Sequence, residues 1–261
     1  MTAFRNLAHR LNLSGWVLVV MLVLAWQFAI VWKIVEFDYL PKPTEVLHAL
    51  GEVISDGTLF SQMGHTLTTA AIASVIAVAL GVGLGALMGL VRPVANFTGA
   101  SVDFLRSIPA VSLMPVVLLL LGPAVKSEVV VGVFAGVWPI LLNTIGGVQA
   151  INPRLHEVGR VLHLGRLQRT FKIVIPSIVP SILVGVRLTV VTCLVVVIIA
   201  EIMMNPEGLG WALTTAQKSL RPDLLFAYAI VTGVLGYLIN LILVLAVRAC
   251  MPGSPALKGR V

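Results

Sequence analysis

The sequence predicts an all-α polytopic membrane protein, with six transmembrane helices and both termini in the cytoplasm. Three observations carry this expectation. Of 261 residues, 58% are hydrophobic and 11% are charged, whereas soluble domains carry roughly 25% charged residues. Six apolar runs each approach the roughly 20 residues that cross a hydrocarbon core about 30 Å thick. The charges, finally, fall unequally on the two sides of those runs.

The first run, about Gly15 to Val35, follows Arg5 and Arg10. It is too long for a signal-peptide core, and no small-x-small site closes it, so it reads as a membrane helix. The second, about Leu67 to Val91, is rich in alanine and glycine. Gly81, Gly85 and Gly89 recur at every fourth position there, a spacing that lets another helix approach closely. The third run, about Leu105 to Leu121, contains Pro109 and Pro115, and the fourth, about Val129 to Val148, contains Pro139. Proline is tolerated inside such spans when neighbouring helices satisfy the freed carbonyls. The fifth and sixth runs are about Ile182 to Ile202 and Leu225 to Val247.

Six crossings from a cytoplasmic N-terminus put twelve Lys and Arg residues inside, against the acids Asp103 and Glu157. The outer segments, counted with the outer ends of the first and fifth runs, then hold Lys33, Lys42, Lys126, Lys218 and Arg221 against nine acids, Glu201 among them. Arg187 lies within the fifth run and is left out of this comparison. The bias follows the rule that Lys and Arg stay on the cytoplasmic side. It accounts for the net charge of +7 without invoking nucleic acid. In the first outer segment, Pro41 and Pro43 break the chain and Thr44 is a helix-cap candidate. Val46, Leu47, Leu50, Val53 and Ile54 then recur at helical spacing, which predicts an amphipathic helix at the outer surface or packed on the bundle.

Reactive chemistry is missing. The glycine-rich run Gly81–Gly89 has no lysine and lies in a span, so it is not a nucleotide-phosphate loop. Neither H-E-x-x-H nor G-x-S-x-G occurs, and no carboxylates pair at catalytic spacing. His156 and His163 are seven positions apart but have no third ligand, so no metal site is expected. Cys193 and Cys250, each in or beside an apolar run, read as ordinary thiols. The expectation is a membrane protein that is not an enzyme and holds no cofactor of its own.

One segment breaks the apolar pattern: His156 to Pro176, "HEVGRVLHLGRLQRTFKIVIP". Val158, Val161, Leu162 and Gly165 follow the i, i+3, i+4, i+7 order of one helix face. Asn152 or Pro153 starts this helix and Gly165 ends it in a left-handed cap. A second helical piece carries Leu167, Phe171 and Val174 on one face, and Arg166, Arg169 and Lys172 on the other. By residue chemistry alone, two readings stay open. The segment lies on anionic lipid headgroups, or its apolar stripe docks into a groove on a soluble partner.

The spacing Glu157, Gly165, Ile173, Ile175, Pro176 resembles the EAA signature of ABC importer permeases. It departs from that signature at Val158 and Gly159, where two alanines are usual, and at Ile175, where leucine is usual. Further stretches resemble the nitrate/sulfonate/taurine-type subgroup: "YLPKPTEVLHAL", "FLRSIPAVSLMPVVLLLLG", "IVPSILVGVRL" and "AEIMMNPEGLGWAL". Together they cover roughly residues 16–250.

The resemblance implies the type I ABC importer permease fold in a bacterial inner membrane. It implies a transmembrane domain over residues 15–248, flanked by cytoplasmic segments 1–14 and 249–261. Residues 152–176 become the coupling segment, with Glu157, Val158, Val161, Leu162, Gly165 and Pro176 meeting a separate ATPase. Glu157 is expected near the positive start of the coupling helix. Implied partners are two ATPase copies, a second permease copy in a homodimer, and a periplasmic or lipid-anchored solute-binding protein. ATP binds the ATPase subunit only. The imported solute is a small anion such as a sulfonate, taurine or nitrate. Arg187, costly inside a membrane, is a pathway candidate alongside Glu201 and Asn143. The competing function is a secondary transporter or channel, which predicts an internal repeat and several intramembrane charges; neither is evident.

Overall fold

The structure is a computed structural model and describes residues 13–34, 37 and 39–250. All regular elements among the described residues are helical. They are α1 (Leu13–Val31), α2 (Pro43–Ser55), α3 (Thr58–Leu90), α4 (Arg92–Ser107), a 3-10 turn (Ala110–Leu113) and α5 (Met114–Leu121). Then follow α6 (Val125–Gln149), α7 (Pro153–Val161), a single turn (Arg166–Arg169) and a π-helical stretch (Thr170–Val174). α8 (Ile175–Met204), α9 (Leu209–Lys218) and α10 (Pro222–Cys250) complete the chain. The N-terminal and C-terminal segments, with Arg5, Arg10, Lys258 and Arg260, lie outside the described residues, as do Val35, Glu36 and Asp38.

Among the described residues, four helical stretches are long and apolar enough to cross a membrane: Thr58–Leu90, Val125–Gln149, Thr170–Met204 and Pro222–Ala249. The expected third span is not one rod. α4 and the Ala110–Leu121 pair meet at an angle of 81°. The cause is local: Pro109 has no N–H to extend α4, and the residue before it, Ile108, is forced into extended backbone. Arg92, Asp103 and Arg106, counted with the cytoplasmic charges, sit on α4, where Arg106 Nε donates to Asp103 Oδ1 at 2.9 Å. α1 is a shorter apolar helix whose side chains are largely exposed. Many large apolar side chains are exposed elsewhere too, as suits a chain whose outer solvent is lipid.

The chain forms two compact units. The smaller comprises residues up to Phe60 with Ala212–Val231. In it, Val46 and Ala49 of α2 and Ala227 of α10 form a buried cluster, with Trp26 of α1 against its edge. The amphipathic helix is therefore packed through Val46, Ala49 and Val53, while Leu47 and Ile54 of the expected stripe stay exposed. Its cap is Lys42 and not Thr44. The Lys42 N–H donates to Glu45 Oε2 at 2.9 Å, the reciprocal half of a capping box, and that bond holds the Glu45 carboxyl below the usual range. Thr44 falls within the first turn, where its N–H faces Gln27 Oε1 at 3.4 Å.

The larger unit comprises Ser61–Trp211 and the chain from Thr232. In it α6 and α8 pair extensively. Ala70, Ala73 and Ala77 of α3 pack on Cys193, Leu194 and Val197 of α8. The expected glycine seam on α3 is occupied by α6. A side chain added at Gly81 would meet Ile140, one at Gly85 would meet Thr144 and the Leu141 carbonyl, and one at Gly89 would meet Val148. Cys193 is a buried thiol that donates to the Gly132 carbonyl, as an ordinary packed cysteine does. The side chain of Cys250 lies outside the described residues.

Candidate functional site

Three groups of residues carry the functional expectations, and α6 and α8 hold them apart. Segment 152–176 leaves α6 at its C-terminus and enters α8 at its N-terminus. A polar cluster sits at the opposite ends of the same two helices. Arg187 and Asn143 lie between.

The segment begins as the residues foretell. Asn152 Oδ1 accepts the Arg154 N–H at 3.0 Å, capping α7, whose first residue is Pro153. Its end differs from the expectation. The left-handed residue is His163, at φ 49°, while the Gly165 carbonyl accepts the Arg169 N–H at 2.9 Å and so opens the next helical turn. Glu157 is not in the first turn of α7, which holds no acid. The preceding chain is already helical from Pro153, so Glu157 falls mid-helix, past the reach of the helix dipole's positive end.

Val161 and Leu162 are 76% and 63% exposed. Glu157, Gly165 and Pro176 are exposed as well, and the Val158 side chain lies outside the described residues. Between this knuckle and α8 the chain is π-helical, with the Ile175 N–H bonded to the Thr170 carbonyl. Pro176 follows at once and cannot donate to Lys172. π-helical turns of this kind mark irregular points in otherwise regular helices.

In the middle of α8, Arg187 Nε donates to Asn240 Oδ1 of α10 at 2.9 Å. Asn143 of α6 is half-buried and donates to the Pro139 carbonyl at 2.8 Å. A side chain on Gly185 would meet Asn143, so Asn143 borders the same stretch of α8.

The polar cluster was largely hidden from sequence reasoning. Glu128, counted as an outer-loop acid, is 0% exposed on the first turn of α6, and Glu201 is 1% exposed near the end of α8. His65, on the second turn of α3, places Nε2 3.2 Å from Glu128 Oε2. Asn205 Nδ2 donates to Glu128 Oε1. Glu201 Oε2 accepts the Gly210 N–H at 2.9 Å, and Thr66 Oγ1 accepts the Leu209 N–H at 2.9 Å. The loop after α8 is thus laid over Glu201, and Gly208 makes this possible. Its φ is +96°, and a Cβ there would overlap the Glu201 carboxylate.

The family described as "Binding-protein-dependent transport system inner membrane component" matches residues 77–253. The nitrate import permease protein NrtB of Synechocystis sp. (strain ATCC 27184 / PCC 6803 / Kazusa) is 28% identical over 81% of this chain and 81% of its own length. The taurine transport system permease protein TauC of Escherichia coli (strain K12) is 24% identical over 90% of this chain and 87% of its own. A solved structure of the MetNI methionine ABC transporter in an inward-facing form superposes with TM-score 0.64 at 19% identity. It covers 72% of this chain and 94% of that one, so the fold is that of type I ABC importer permeases. The family match spans more than half of the chain, and the protein belongs to that family, as an inner-membrane permease component of ABC transporters.

Proposed function

We propose that this chain is the membrane half of an ATP-driven importer for a small anion of the sulfonate, taurine or nitrate type. Segment 152–176 is its contact with a separate ATPase subunit, which alone binds and hydrolyses ATP. The observation that carries this reading is the exposed apolar pair where α7 ends, Val161 and Leu162 of the turn after it. A nine-residue helix displaying apolar side chains away from the bundle suits a groove on a partner better than water. The breaks around it support the same reading. His163 turns the chain, Gly165 opens the next turn, and the π-helical stretch with Pro176 sets the angle into α8. A push on α7 therefore reaches α8 through a defined joint.

The six-crossing topology takes α1 as the first span and the bent α4–α5 pair as the third. Residues 15–248 form the permease domain, and segments 1–14 and 249–261 lie in the cytoplasm. One chain lines half of a pathway, and a second copy related by two-fold symmetry supplies the rest. A periplasmic or lipid-anchored solute-binding protein meets the outer segments Val35–Thr66 and Asn205–Asp223. Arg187 carries the fixed positive charge that an anion requires, and Asn240 orients it. Asn143 adds a polar edge nearby. Glu201 acts by holding the outer loop.

The test is uptake. Proteoliposomes holding this chain, the ATPase encoded beside it and the neighbouring binding protein should accumulate labelled taurine, an alkanesulfonate or nitrate only when ATP is supplied. Uptake by the chain alone down a gradient, indifferent to ATP, would contradict the proposal.

A further inference from the structure

We propose that His65, Glu128 and Glu201 form a binding site for a divalent transition-metal cation, of the zinc or manganese class, at the end of the bundle opposite segment 152–176. One ligand atom from each residue lies within 4.8 Å of the other two. A cation that draws imidazole nitrogen and carboxylate oxygen to about 2.0–2.2 Å sets tetrahedral edges of roughly 3.3–3.6 Å, so the widest of these separations would close by at most about 1.5 Å, which side-chain rotation can supply. His65 Nε2 and Glu128 Oε2 already stand 3.2 Å apart, near the edge length of a tetrahedral site.

Two independent features point to a ligand. First, Glu201 is 99% buried, yet its Oε1 has no hydrogen-bond partner. A buried carboxylate oxygen without a partner is costly, and a cation would satisfy it. Second, His65 Nδ1 lies 3.0 Å from Glu207 Oε2. Metal-bound imidazoles characteristically donate their other N–H to a carboxylate, which fixes the tautomer that leaves Nε2 free for the ion. Glu207 has this relation to His65 while its own side chain is 65% exposed, and it marks the entry side.

A divalent ion bound here would supply the opposite charge that carboxylates in so buried a place require, since an unpaired buried charge is costly. Asn205 can join by turning its amide, which presents Oδ1 in place of Nδ2. Imidazole suits Zn²⁺ and the two carboxylates also suit Mn²⁺, whereas Ca²⁺ and Mg²⁺ favour all-oxygen sets. The bound ion would tie the start of α3, the start of α6 and the end of α8 into one knot beneath the Asn205–Gly210 loop. This departs from the sequence reading, which considered only His156 and His163 as ligands.

The experiment uses the full-length chain, tag removed and chelator-stripped, in detergent. Equilibrium dialysis against ZnCl₂, and separately MnCl₂, is followed by elemental analysis and a thermal melt. The expected result is about one ion per chain, with a raised melting temperature. Glu201→Gln and His65→Gln should lose the ion. Glu207→Gln should retain it with about 10–100-fold weaker affinity, the range typical of partners that orient a metal ligand. Wild-type chain that takes up no saturable ion would overturn the proposal, as would Glu201→Gln binding as tightly as wild type. Should Glu201→Gln fail to fold, Glu207→Gln decides, because its side chain is outside the core; an unchanged affinity there would also overturn the proposal.

Discussion

Gly208 shows how one residue without a side chain can position a whole loop. Its φ of +96° is a conformation that L side chains avoid, and the space a Cβ needs is taken by the Glu201 carboxylate. Gly208→Ala should therefore destabilise the chain by about 1–3 kcal/mol, read as a lower melting temperature in detergent. Gly57 also has positive φ, at 78°, but no atom waits within 4 Å of its missing Cβ, so Gly57→Ala incurs backbone strain alone and should cost less. Arg187 is a different case. Replacing it with leucine leaves Asn240 without its donor, a loss of about 1–3 kcal/mol, and removes the proposed anion contact. Arg187→Gln should restore much of the stability but not the uptake, and the difference between the two variants separates structure from transport. Residues in the EAA-like segment were legible because their relation is one of spacing along the chain. His65, Glu128 and Asn205 were not. The partners of His65 lie 63 and 140 positions away, and no local pattern announces a pair made by helices meeting.

Between elements, the glycine seam of α3 makes the sharpest prediction. A side chain at Gly85 would press on the Leu141 carbonyl and Thr144, whereas one at Gly83 would meet nothing within 4 Å. Gly85→Leu should force α3 and α6 apart and cost at least the 1–3 kcal/mol typical of overpacking, about. Gly83→Leu should be nearly silent in the same melt. The seam was readable in advance from the fourfold spacing of Gly81, Gly85 and Gly89. The true length of α3 was not. Gln62, His65 and Thr66 precede the expected start of the span at about Leu67, yet the helix already runs from Thr58, because each finds a partner or a buried place. Gln62 Oε1 accepts the Gly208 N–H, and Thr66 and Thr69 are fully buried. The third span misled for the opposite reason. Its prolines are legible as interruptions, but the 81° angle at which Pro109 parts the two helices is not a quantity composition gives. The capping of α2 by Lys42 was hidden as well, because the box depends on Glu45 reaching back and not on a short polar side chain at the cap.

For the whole molecule, the apolar exterior, the charge bias and the family membership describe one thing: a lipid-embedded subunit that works in an assembly. Its long helices offer lipid-like surfaces, and its candidate functional groups lie at the two ends of α6 and α8, with Arg187 and Asn143 between them. The knuckle at one end is exposed and apolar, and it is joined to α8 through the π-helical stretch and Pro176. The central claim is that this knuckle is the ATPase contact. The most direct measurement is to co-express the chain with the ATPase encoded beside it, purify by a tag on the permease, and determine complex mass and ATPase rate for wild type and Leu162→Asp. Leu162 is exposed in the isolated chain, so the charge should leave its fold and melting temperature unchanged. The account predicts a complex of two permease chains with two ATPase chains for wild type, and loss of the ATPase from Leu162→Asp, with the rate falling at least tenfold, about 1.4 kcal/mol. A variant that holds the ATPase and hydrolyses ATP like wild type would contradict it and return the segment to the lipid surface.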